Sequence, residues 1–111
     1  MKKIVASLLL ILTTNSWASM QPGTEPLMGA QVFGNSVKIQ VRTGGCTWKD
    51  SFIVKKSLNV RRNVAELTFV RIVPDNCEAF IPQGRVFTFS LSELRVRSLE
   101  GFVIANPFLP R

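Results

Sequence analysis

Val37, Ile39 and Val41 alternate with Lys38, Gln40 and Arg42, the period-two pattern of a strand with one face in a core and the other in water. The run Ser51 to Lys56 repeats the pattern with Phe52 and Val54 on one face. From Val64 to Val73, Ala65, Leu67 and Phe69 alternate with Glu66 and Thr68 before Val70 and Ile72 take over. That change of parity predicts either a bulge or a strand covered on both faces. Arg85 to Leu91 places Phe87, Phe89 and Leu91 inward, and Leu94 to Arg97 and Gly101 to Ala105 complete five or six predicted strands.

Turn signals separate these runs: Asn59 to Asn63 in the centre, then Gln83-Gly84 and Glu100-Gly101. After the first 18 residues, no segment holds a 3.6-residue apolar period long enough for a regular helix. Ser90-Leu91-Ser92-Glu93 matches a capping box, which predicts one helical turn around Ser92 to Leu94. The expected fold is therefore all-β and mostly antiparallel, a small single-domain sandwich or barrel over residues 36–111. Residues 19–35 carry two prolines and three glycines without periodicity. They read as an extended N-terminal arm that packs through Leu27, Val32 and Phe33.

The first 18 residues stand apart. Lys2 and Lys3 precede an apolar run from Ile4 to Leu12, and small residues occupy positions 16 and 18. This is the order of a cleavable Sec-type signal peptide, with cleavage expected after Ala18 and delivery to the periplasm or the cell exterior. The run is nine residues long, against the roughly 20 a membrane-spanning helix needs. Loss of the two lysines lowers the charge from +7 to +5, twelve Lys and Arg against seven Asp and Glu. Such a charge favours encounter with anionic surfaces and is silent about fold.

Export also decides how the two cysteines read. Cys46 and Cys77 are the only pair, and in an oxidising compartment an even count in a small domain predicts a disulfide. Zinc would ask for four ligands, and the chain has no histidine and no CxxC pair. A catalytic thiol would ask for an activating base. Gly44-Gly45 before Cys46 and Pro74-Asp75-Asn76 before Cys77 place each cysteine beside a predicted turn.

With histidine and tyrosine absent, the commonest general bases, the hydrolase triads and the usual metal ligands are missing. The carboxylates are scattered, and Asp75 reads as an ordinary turn residue. Neither a catalytic residue, a metal nor a cofactor is expected, and the chain is expected not to be an enzyme. Binding is the alternative. Lys55, Lys56, Arg61 and Arg62 bracket a short SLNV segment, and a hairpin there would gather four cations at one tip. They would form an anion-binding patch or simply protect exposed strand edges from pairing. Trp48 and Lys49 follow the first cysteine. The tryptophan either packs over the disulfide or stands as an exposed anchor for a protein or glycan. Phe108 and Leu109, between two prolines, are expected to tuck against the core rather than form a docking peptide.

The turns TGGCTWK and PDNC, with the ANPF ending, resemble a group of small exported proteins of Gram-negative bacteria that share TGGCT-x-K and a later PD-x-C. That resemblance implies an envelope setting and a disulfide, and carries no established activity. A looser likeness, in size, address and class alone, is to small periplasmic inhibitors of lysozymes and proteases, although the Ser-Gly-x-x-Tyr loop of one lysozyme-inhibitor group is absent. The function expected is an exported binding protein acting on a protein partner with an acidic surface, an inhibitor among the options. Its contact residues would be Trp48, Lys49, Lys55, Lys56, Arg61 and Arg62. The alternative is a basic binder of anionic envelope polymers or surfaces, such as lipopolysaccharide, glycan or nucleic acid.

Overall fold

The computed structural model describes residues 23–97 and 101–110; the leader read over residues 1–18 lies outside them. Six strands lie among the described residues: β1 (Gly29–Phe33), β2 (Ser36–Val41), β3 (Phe52–Asn59), β4 (Val64–Arg71), β5 (Arg85–Ser90) and β6 (Phe102–Ile104). They form two three-stranded sheets, ordered β1-β2-β5 and β3-β4-β6. All pairings are antiparallel except β4 with β6, which is parallel. No helix among the described residues is long and apolar enough to cross a membrane.

The alternation seen in the sequence sets the core. Val37, Ile39 and Val41 on β2 and Ala65, Leu67 and Phe69 on β4 are all fully buried, and all but Ala65 share one hydrophobic core. Shifting either strand by one residue would turn this whole set into water, so the register is strongly specified. Aromatic rings tie the sheets together: Phe69 lies against Phe89 with centroids 5.1 Å apart, and Phe52 against Phe87 at 6.0 Å. Both separations suit tilted ring packing.

The parity change in β4 has a simple cause. The register between β3 and β4 runs without interruption from Asn59 and Val64 to Phe52 and Arg71, so no bulge is needed. Val70 is buried on the other face because the preceding chain covers it, bridging β4 at Thr24. From Gly23 onward, the segment read as an arm is thus part of the fold. Gly23 and Glu25 bond to the backbone of Arg71 and Phe69, and residues 29–33 add β1 to the first sheet. Leu27 is fully buried as expected, whereas Val32 and Phe33 are about half exposed.

Leu94 to Arg97 do not form the expected strand. Ser90 N–H donates to Glu93 Oε1 at 2.8 Å and Glu93 N–H donates to Ser90 Oγ at 3.1 Å, so both arms of the capping box are made. Residues 91–95 curl into consecutive turns with Arg95 at φ 60°. The local bonds outcompete strand pairing, and Leu94 and Val96 still reach the core from the turn.

At the C-terminal end, Asn106 closes the seam of the second sheet. The β6 strand flanks the first half of β4 and residues 23–25 flank its second half. Between them, Asn106 Oδ1 accepts from Phe69 N–H at 2.8 Å, while Asn106 Nδ2 donates to Phe69 O at 2.8 Å and Glu25 O at 2.7 Å. One side-chain amide thereby replaces a missing stretch of strand backbone. The tail then docks along residue 27, with Leu27 N–H donating to Pro107 O and Leu109 N–H to Leu27 O. The tail therefore tucks in through its backbone, leaving the Phe108 side chain half exposed.

Candidate functional site

The cysteine-bearing end is the most heavily braced part of the domain. Cys46 and Cys77 form the expected disulfide across a separation of 31 residues, with their Cα atoms 5.6 Å apart. The two glycines before Cys46 have separate roles. Gly45 sits at φ 111°, where a side chain would strain the backbone. Gly44 has no room for one: a Cβ there would overlap the carbonyl of Cys77.

Asp75, taken from the sequence as a plain turn residue, organises both loops. Its Oδ2 accepts from Thr43 Oγ1 at 2.8 Å, Gly44 N–H at 2.8 Å, Cys46 N–H at 3.1 Å and Thr47 Oγ1 at 2.6 Å. Oδ1 accepts from Cys77 N–H at 3.0 Å. The Thr47 hydroxyl, joined by Thr43 and by the backbone N–H groups of Gly44 and Cys77, holds the carboxyl far below the usual carboxylate range. The TGGCT motif is thus a nest of donors shaped around one acid 28 to 32 residues further on.

The web continues through Arg71 at the end of β4. Arg71 Nη1 donates to Thr47 Oγ1 at 2.9 Å, and its Nε and Nη2 grip both oxygens of buried Glu25 at 2.9 Å each. This paired geometry is the strongest form of arginine–carboxylate contact. The guanidinium also lies 4.9 Å from the centre of the Phe52 ring. Glu25, Arg71, Thr47 and Asp75 therefore link the N-terminal segment, β4 and both cysteine loops into one polar chain. Each charged group in it is held by fixed partners.

A metal does not fit here either. The ligand atoms of Cys46, Asp75 and Cys77 lie within 4.8 Å of one another, but the two sulfurs are bonded together. The facing carboxylate oxygen is already surrounded by four donors.

Of the contact residues expected from the sequence, Trp48 is 51% exposed, and the Arg85 guanidinium lies 4.5 Å from its ring centroid. The ring is thus half exposed, with the arginine against it in cation–π geometry. Lys49 is committed elsewhere, pairing with Glu93 at 2.9 Å and lying 4.8 Å from the centre of the Phe89 ring. Glu93 is itself held below its ordinary range, first by the Ser90 N–H and then by Lys49.

The β3–β4 hairpin forms, yet it does not gather four cations at its tip. Arg61 and Arg62 lie in the turn that spans residues 60–63. Lys55 and Lys56 sit opposite Thr68 and Leu67, about 10–13 Å back along the strand. As neighbours on a strand they point to opposite faces, and Lys56 Nζ donates to Arg95 O at 2.6 Å.

The structure adds one surface residue the sequence did not single out. Phe80, three residues past Cys77, is 88% exposed, the most exposed of the large apolar side chains among the described residues. The only sequence signal for it was position: an aromatic between a cysteine and a proline, outside every alternating run. Ile72 and Val73 are also exposed near this end, their N–H groups bonded to Ser51 O.

Comparison of the chain with protein-family models, with curated proteins and with solved structures finds no match.

Proposed function

We propose that this chain is an exported, non-enzymatic binding protein that engages a protein partner through its disulfide-bearing end. One observation carries the reading: the half-exposed Trp48 ring, backed by Arg85, stands on a loop braced by the disulfide and by Asp75. Tryptophan and arginine are the residue types most enriched at energetic centres of interfaces. A surface already held in its bound shape also loses little freedom on association.

The signal-like leader and the likeness to small exported Gram-negative proteins support an envelope or extracellular setting. The dispersal of Lys55, Lys56, Arg61 and Arg62 along the hairpin weighs against the alternative of a polyanion binder, which would profit from a concentrated patch. Those cations serve encounter with an acidic partner surface rather than hold it.

The test is capture of envelope proteins on the immobilised, oxidised chain at low and at physiological salt. A protein partner retained at both, and lost with Trp48→Ala, is the expected result. Retention that vanishes at physiological salt and is indifferent to Trp48→Ala would instead support the polyanion reading.

A further inference from the structure

The second cysteine loop holds Phe80 out in solvent between two tethered ends. Upstream, Cys77 is fixed by the disulfide and by its N–H bond to Asp75, and Ala79 N–H donates to Gly44 O at 2.9 Å. Downstream, Gly84 N–H donates to Ile81 O at 3.0 Å, Gln40 Nε2 donates to Gln83 O at 2.7 Å, and Gly84 is buried against Val41. Pro74 to Ile81 makes neither turn nor bend. Pro82 follows immediately with its fixed φ. The result is a run of chain tied at residues 77, 79, 81, 83 and 84, which carries a phenylalanine 88% in water.

A convex aromatic on a braced loop is the shape complement of a concave, ring-sized apolar pocket that also accepts main chain on either side. Enzyme clefts that bind peptides have that form. We propose that Phe80 is the primary specificity residue of an inhibitory loop that enters the active-site cleft of a serine endopeptidase preferring aromatic residues. This rests on the protein-partner reading above and names the class of partner and the residue it grips.

The tethers decide whether such a loop is a substrate or an inhibitor. In the first step the enzyme's serine oxygen attacks the Phe80 carbonyl carbon. The bond to the Ile81 nitrogen breaks, and that nitrogen takes a proton from the enzyme's general acid. An ordinary substrate then loses its new amine to solvent. Here the Cys46–Cys77 bond and the Gln40–Gln83 contact hold the two sides of the break to the same domain. The amine remains beside the acyl carbon and attacks it while the enzyme's base takes its proton. The ester bond to the serine breaks, the serine oxygen regains the proton it gave up in the first step, and the peptide bond is restored. Effective concentration favours religation over hydrolysis.

The experiment titrates the oxidised chain against chymotrypsin and, separately, subtilisin, with a chromogenic peptide reporting free enzyme, and weighs the recovered chain by mass spectrometry. Expected are near one-to-one loss of activity for at least one enzyme and a chain largely intact at the bond between Phe80 and Ile81. Phe80→Ala should weaken inhibition about 100-fold or more, with an unchanged circular dichroism spectrum because the side chain touches solvent. Phe80→Arg should transfer inhibition to trypsin. Inhibition of neither aromatic-preferring enzyme, prompt cleavage after Phe80, or inhibition indifferent to Phe80→Ala would each overturn the proposal. If Trp48-dependent capture persists in that event, the binding reading stands and this inference alone falls.

Discussion

Replacing Asn106 by alanine removes three hydrogen bonds, and their loss is unequal. Phe69 O keeps a second donor in Glu25 N–H at 3.1 Å, so it stays satisfied. Phe69 N–H and Glu25 O have Asn106 as their partner across the seam, and the side chain that serves them is 4% exposed. Each orphaned buried group costs about 1–3 kcal/mol, giving about 2–6 kcal/mol together. That is a large share of the roughly 5–15 kcal/mol that holds a domain of this kind. Urea titration followed by far-ultraviolet circular dichroism measures it directly through the shift in midpoint at constant slope. Asn106→Asp sharpens the test, because it keeps the acceptor for Phe69 N–H but sets a carboxylate against two carbonyl oxygens. Burial and those oxygens raise its pKa in the folded state above the unfolded value. The variant should accordingly gain stability as pH falls and the protonated acid recovers a donor. A loss below about 1 kcal/mol for Asn106→Ala, or an Asn106→Asp variant insensitive to acid, would refute the seam-closing role.

Two further outcomes concern the cysteine end. Replacing both cysteines by serine opens a loop closed across 31 residues, which the chain-entropy relation values at about 4 kcal/mol, read as a lower urea midpoint than that of the oxidised chain. Asp75 gives the opposite pH signature to Asn106→Asp. Its folded pKa lies below the ordinary 3.8, so its stabilisation is complete above that value and drains away as pH falls through and beyond it. Asp75→Asn should flatten the acid limb of the stability curve, and an acid limb identical in both proteins would remove Asp75 as its source.

How far the sequence reveals this molecule depends on how local each interaction is. Strands β2 and β4 are legible because one buried face writes a period of two directly into Val37, Ile39 and Val41 and into Ala65, Leu67 and Phe69. The disulfide follows from cysteine count and the leader. Leu94 to Arg97 mislead because their spacing suits a strand, whereas the bonds between Ser90 and Glu93 three residues apart turn the chain. The same motif was visible, and its weight against the alternation was not.

Other roles depend on distant partners. Apart from the local bond between Asp75 and Cys77, Asp75 and Asn106 act on groups 28 to 81 residues away, a distance at which neither composition nor periodicity carries information. The scatter of the four hairpin cations likewise follows from the register of β3 against β4, which sets how far Lys55 and Lys56 stand from the turn. Phe80 is conspicuous only once the tethers on either side of it are known.

The proposed site of recognition is the disulfide end and not the basic hairpin. Placing a photo-crosslinking phenylalanine analogue singly at Trp48, at Phe80 and at Leu58, exposed near the hairpin turn, and irradiating whole cells compares the two ends under native conditions. Recognition at the disulfide end predicts a discrete protein adduct from position 48 or 80 and none from position 58. An adduct from position 58 alone would contradict it and move the binding surface to the cations of the hairpin.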